Sequence, residues 1–196
     1  KYYFTVQSKT KSGNASFLLL IESQVKTEWD YLSVLAQYGL FEGDETGDFA
    51  TYNNITRAEM AKVLCKALGI SHDSYGTQLF SDVASSHWAF GYINALTATK
   101  IVAGNDDGSF SPDREATYAE TVKMLVTAMG YAPRAESLGG YPYGYLNVAS
   151  KLGISTANST SELTLGGAAQ LIYECMSTNI YDIESVSADG EFQYTN

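Results

Sequence analysis

The chain is poor in the residues that most often carry chemistry. Only two of its 196 residues are cysteine, three are proline, two are histidine and three are arginine. Two cysteines are too few for a disulfide scaffold in a chain of this length. Cys65 and Cys175 both fall in apolar runs of helical spacing, where a buried thiol is the ordinary occupant. Acidic side chains outnumber basic ones 22 to 12, for a net charge of −10. Arginines at 57, 114 and 134 alone cannot supply the stripe that neutralises duplex phosphates, so nucleic acid is excluded as a partner. The longest uninterrupted apolar run, Phe17 to Ile21, is far short of the roughly 20 residues a bilayer span needs, so no membrane insertion is expected.

Catalytic patterns are missing too. There is no His-Glu-x-x-His, no Gly-x-Ser-x-Gly, and no histidine beside either cysteine. Asp106 and Asp107 share a turn instead of facing each other across a cleft, which does not suit a glycosidase pair. A calcium loop fails as well: with Gly108 at the sixth position, Ala103 and Arg114 stand where acids are required. No enzyme activity, cofactor or metal centre is expected.

What the chain does have is apolar mass for a core, 13% aromatic residues, and a repeat. At the start, Lys1 to Val6 alternates in strand-forming residues, Ser12-Gly13-Asn14 supplies a turn and Phe17 to Ile21 a second strand, predicting a β-hairpin over residues 1 to about 23. A lone hairpin is marginal in water, so it is expected to pair elsewhere, with the strand-like Glu191 to Thr195 as one partner. With no start methionine or leader pattern, both ends read as cut from something longer.

Between the ends one unit recurs. Trp29 to Gly39 is a helical run, followed by the turn-rich Gly43 to Phe49 and then Ile55-Thr56-Arg57-Ala58-Glu59 opening a second helix that stops at Gly69. The second copy has Phe80-Ser81-Asp82-Val83, then His87-Trp88-Ala89-Phe90, then Asp107-Gly108-Ser109-Phe110. It ends with Ala116-Thr117-Tyr118-Ala119-Glu120 leading to Gly130. Trp29 and Trp88 are 59 residues apart, Thr56 and Thr117 61. A worn third copy runs from Tyr145 to Gly153 and from Leu163-Thr164-Leu165-Gly166-Gly167 to Met176. Apolar residues at helical spacing give each helix one sticky face that a single helix pair cannot bury, so three pairs should close around a shared axis. Gly39, Gly69, Gly130 and Gly153 are the expected left-handed helix stops.

These motifs, in this order, resemble the S-layer homology (SLH) repeat. The resemblance implies a mainly α fold: three helix-loop-helix repeats in a pseudo-threefold bundle, with the short N-terminal β-hairpin and a strand-like C-terminal tail beside it. The expected domains are 27–70, 80–131 and a degenerate 141–180. Residues 1–26 form a hairpin or the end of a preceding domain, and 181–196 an exit segment toward a further domain. It also implies an extracellular location at a bacterial cell wall or S-layer. The implied role is non-covalent attachment to an anionic, commonly pyruvylated, secondary cell-wall polysaccharide carried on peptidoglycan and held in inter-repeat grooves. The alternative role is assembly with other copies of the surface protein, with little sugar binding.

Within the motif, Thr56-x-x-Glu59 and Thr117-x-x-Glu120 are capping boxes, so threonine and glutamate need no ligand to explain them. Arg57 does, because a cation in the first turn opposes the helix dipole by a few tenths of a kcal/mol. It is expected to meet a sugar carboxylate together with exposed N-terminal amides, in one dominant groove between the first two copies, the alternative being that it lies over a neighbouring repeat or pairs with a surface acid; Arg57→Ala is expected to lose wall-polymer affinity and keep the melting temperature. Tyr118 and Leu165 replace the arginine in the later copies. Arg114 reads either as a substitute cation or as a solvated loop residue beside Glu115. Trp88 offers an indole face to a sugar, although both tryptophans also suit core wedges. Gly104 and Asp107, in the glycine-punctuated loop, complete the candidate ligand contacts, and Tyr141, Tyr143 and Tyr145 read as a groove rim or as packing.

Overall fold

The computed structural model describes residues 27–73, 76–154 and 162–178, together with the backbone of four strands outside those ranges. Seven helices occur among the described residues: α1 Glu28–Ala36, α2 Arg57–Leu68, α3 Phe90–Ala98, α4 Tyr118–Ala128, the short α5 Ala132–Ser137, α6 Tyr143–Lys151 and α7 Leu165–Met176. The fold is mainly helical, as the periodicity predicts. Strand β1, Tyr2–Thr10, pairs antiparallel with β2, Gly13–Ile21, giving the expected hairpin. The tail strands β3, Asp182–Val186, and β4, Phe192–Thr195, pair with each other. The expected pairing of the first hairpin with the tail is therefore corrected: each hairpin is a two-stranded sheet of its own.

The caps explain where the second helix of each pair begins. Thr56, Thr117 and Thr164 are all extended and each accepts a hydrogen bond from the amide three residues on. Glu59 and Glu120 return the bond to the cap's own N–H, whereas Gly167 leaves the third cap one-sided. Just before each cap, three backbone bonds close a ring. Ile55 N–H donates to the Leu163 carbonyl at 2.9 Å, Leu163 N–H to that of Ala116 at 3.2 Å, and Ala116 N–H to that of Ile55 at 2.8 Å. All three side chains are buried, so the ring lies on an apolar pseudo-threefold axis.

The helices interlock around that axis in a cycle. α3 packs on α2, α6 on α4, and α1 on α7, so each first helix rests on the second helix of a neighbouring pair and the last pair closes onto the first. Leu32 and Leu35 of α1, Ile93 and Leu96 of α3 and Leu171 and Ile172 of α7 fill the core between them. Cys65 and Cys175 are buried free thiols, as their apolar context predicts.

One alignment made from the sequence shifts. The left-handed stops after α1 and α3 are Gly39 and Lys100, 61 residues apart like the caps, so Phe90 and not Trp88 stands in Trp29's place. Neither tryptophan is a core wedge: Trp29 is 53% and Trp88 52% exposed. Trp29 meets Phe49 edge to face, and Trp88 lies ahead of α3, stacked on His87.

Lys100 adopts φ 61° where Gly39 and Gly153 hold the equivalent turns. Lys100→Gly should raise stability by roughly 0.5–1 kcal/mol, since relief of the left-handed penalty exceeds the added chain entropy. Urea unfolding of the two proteins measures this.

Candidate functional site

The aspartate of the Ser-Asp-Val motif starts the construction. The Asp82 carboxylate accepts from the amides of Phe110 at 2.8 Å and Ser111 at 2.7 Å, pinning the loop that ends the Asp-Gly turn. Burial works against this charge, but the two amide bonds outweigh it and hold the Asp82 pKa below the usual aspartate value. The pinned loop presents the Phe110 carbonyl to Arg57, whose Nε donates to it at 2.8 Å. The guanidinium lies 4.4 Å over the Phe110 ring, and its other nitrogens donate to the Ala103 carbonyl and the Glu120 carboxylate, each at 3.2 Å.

Arg57 is thus 5% exposed and bound on three sides by the second repeat. The α2 amides that were expected to share an anion with it are also engaged: Arg57 N–H donates to the Arg114 carbonyl and Ala58 N–H to that of Pro112. The expectation of an open arginine at a free helix entrance is therefore corrected. The first-turn penalty is met inside the protein, by two carbonyls, a ring face and a carboxylate.

That carboxylate is shared. Arg114 donates from both terminal nitrogens to Glu120, so the exposed loop residue expected beside Glu115 is a second guanidinium on the same acid, not a replacement cation. Glu120 meanwhile accepts from the Thr117 amide at 2.9 Å as part of its cap. Burial raises its pKa, and the bonds from Arg114 and Thr117 with the charge of Arg57 more than reverse that, leaving it lowered. Burial lowers the pKa of Arg57, and the Glu120 bond raises that of Arg114.

Beside this cluster a cleft of about 150 Å³ opens. The stretch from Ile101 to Asn105 after α3 forms one wall, Glu120, Lys123 and Met124 of α4 another, and Arg57 and Tyr141 complete it. It lies at the seam of the first two repeats, with Tyr141 contributed from the approach to α6. Of the sequence candidates, Arg57 and Gly104 line the cleft and Arg114 stands behind Glu120. Trp88 and Asp107 are not among its lining residues. Asp107 closes its own turn by accepting from the Ser109 amide and hydroxyl. Gly104 is required by packing: a Cβ there would stand 2.3 Å from the Phe80 ring and 2.7 Å from the Ser109 carbonyl.

The tyrosine cluster divides. Tyr145 is buried and donates to Glu136 at 2.7 Å, with burial pushing its pKa up to about 12, whereas Tyr141 and Tyr143 are exposed. Lys123 was missed by sequence reading. Its Nζ sits 5.2 Å from the centre of the Tyr141 ring and 5.7 Å from that of Tyr145. The signal was present, because a lysine stands six residues after the capping threonine in both good copies, at 62 and 123.

The S-layer homology domain model matches residues 23–61 and 79–122. The chain carries S-layer homology domains. It is 35% identical over 129 residues to the "Middle cell wall protein" of Brevibacillus brevis and 36% identical over 124 residues to the "Surface layer protein" of Brevibacillus choshinensis. Those matches cover 64% and 62% of this chain but only 12% and 11% of the relatives. A "Cellulosome-anchoring protein" of Acetivibrio thermocellus is 40% identical over 82 residues, 40% of this chain and 18% of that protein. This SLH chain is a cell-surface component, extracellular and associated with the wall. Among the described residues no helix is long and apolar enough to cross a membrane.

Removing the buried guanidinium by Arg57→Ala should cost roughly 2–4 kcal/mol in urea unfolding, and Arg57→Lys should restore little of it because an ammonium cannot reproduce the fork. Glu120 supplies a further check. Its lowered pKa contributes stability that is complete above the ordinary glutamate value of 4.5 and lost as pH falls through the value in the fold. The stability of Glu120→Gln, measured against pH, should decline less steeply below about pH 4.5 than that of the parent protein.

Proposed function

We propose that this chain attaches a bacterial surface protein to the cell wall without a covalent bond. It does so by seating one anionic, pyruvylated sugar of a secondary cell-wall polysaccharide, itself attached to peptidoglycan, in the cleft between its repeats. The observation that carries this reading is the cleft: a concavity at a repeat seam, bordered by the cations Arg57 and Lys123, the exposed ring of Tyr141 and the apolar side chains of Ile101, Val102 and Met124. A sugar ring has one apolar face and a rim of polar groups, and an aromatic surface beside hydrogen-bonding groups suits it. Its volume of about 150 Å³ is below the 300–1,000 Å³ of ordinary ligand pockets, so it suits one sugar residue.

Local charge reconciles an acidic chain with an anionic polymer. Screening confines the field of the −10 net charge to about 8 Å at physiological salt. Around the cleft Arg57, Arg114 and Lys123 outnumber Glu120, so the seam is locally cationic. The cellulosome-anchoring name of one relative supports the same reading.

Ala103 has an exposed side chain at the cleft wall, so Ala103→Trp fills the cleft without touching the core. In a pull-down with purified wall polysaccharide the parent protein should bind and Ala103→Trp should not, with equal melting temperatures. Equal retention of both proteins would place the polymer elsewhere on the surface.

A further inference from the structure

We infer that Lys123, and not the arginine of the Thr-Arg-Ala-Glu motif, is the residue of this chain that selects an anionic group on the cleft ligand, with Tyr141 as the platform for the ring that bears it. This rests on the cleft being the polymer site. The two arginines near the cleft are already committed. Arg57 donates to two carbonyls and Glu120, and Arg114 donates twice to the same Glu120. A ligand anion reaching Arg57 would have to displace a buried bond, and one reaching the more exposed Arg114 would have to compete with its two charge-assisted bonds to Glu120.

Lys123 is in the opposite condition. Among the described residues no carboxylate lies within ion-pair distance of its half-buried ammonium, and no hydrogen-bond acceptor engages it. Its neighbours are the faces of Tyr141 and Tyr145. Three donors of a charged group therefore border a cleft with no acid of their own, since the charge of Glu120 is covered by two guanidiniums.

The first repeat contains the matching control. Lys62 occupies the place of Lys123, 61 residues earlier, and Glu42 occupies the place of Ala103. There the lysine is neutralised: Lys62 lies 3.6 Å from Glu42, which also binds Lys66 at 2.8 Å. In the second repeat the acid is replaced by a methyl group and the lysine is left open to the cleft. The exchange of Glu for Ala opens a cation in one repeat that the other keeps closed. An ammonium is a point charge without the planar fork of arginine, so it reads the presence of an anion more than its shape, and a sugar carboxylate or a phosphate satisfies it.

The test is calorimetric titration of the 196-residue protein with purified wall polysaccharide, with the same polymer stripped of pyruvyl groups, and with polymer stripped of phosphate. Lys123→Gln should weaken binding at least about tenfold without lowering the melting temperature, and Lys123→Arg should retain it. Ala103→Glu, which installs the first repeat's acid, should weaken binding to the same degree. The stripping that brings the parent protein down to the level of Lys123→Gln identifies the anion. Lys123→Gln binding within about twofold of the parent, while Ala103→Trp abolishes binding, overturns the role of Lys123 and leaves the cleft as the polymer site. Loss on Lys123→Gln that neither stripping reproduces overturns it as well. If the parent protein fails to bind the intact polymer, the attachment reading falls, and this inference with it.

Discussion

Three backbone hydrogen bonds determine most of what this structure can do. The ring through Ile55, Leu163 and Ala116 joins segments 47 to 108 residues apart and fixes the residue before each capping threonine on one axis. The starts of α2, α4 and α7 are then set relative to one another, and each residue after a cap faces the neighbouring repeat. Arg57 and Tyr118 are accordingly buried, and Leu165 is partly buried against the core. An arginine at such a position packs before it binds. The short antiparallel bridges Thr56 to Glu115, Thr117 to Glu162 and Asn54 to Thr164 express the same constraint on the flanking residues.

The seam between the first two repeats is held by one acid with three tasks. Glu120 completes the cap of α4, anchors Arg57 from the first repeat and fixes Arg114 from the loop between α3 and α4. Helix initiation and inter-repeat packing therefore depend on the same carboxylate. Two guanidiniums surround a single acid there, and Lys123 adds a charge that no acid among the described residues pairs with, beside a cleft in a protein of net charge −10.

Local rules made much of the fold legible. Capping boxes at Thr56 and Thr117 and glycine stops at 39, 69, 130 and 153 depend on residues three or four apart, and the structure has each. The third copy retained a working threonine cap despite losing its glutamate. The site was less legible because it depends on distant residues. Burial of Arg57 requires Phe110, Ala103 and Glu120, 46 to 63 residues away, and no pattern within one repeat reveals them. Trp88 drew attention as an aromatic residue, but the register of the caps places it ahead of its helix. Lys123 resembled an ordinary helix-surface lysine until its counterpart Lys62 was seen to have an acid that Lys123 lacks.

The central claim is that the seam cleft, and not the exposed aromatic residues elsewhere, receives the wall polymer. Amide chemical shifts of the labelled protein, followed while purified wall polysaccharide is added, test it most directly. The account predicts saturable shifts concentrated at Val102 to Asn105, Glu120 to Met124 and Tyr141. Shifts centred on Trp29, Phe49 and Tyr52, with those segments unmoved, would contradict it.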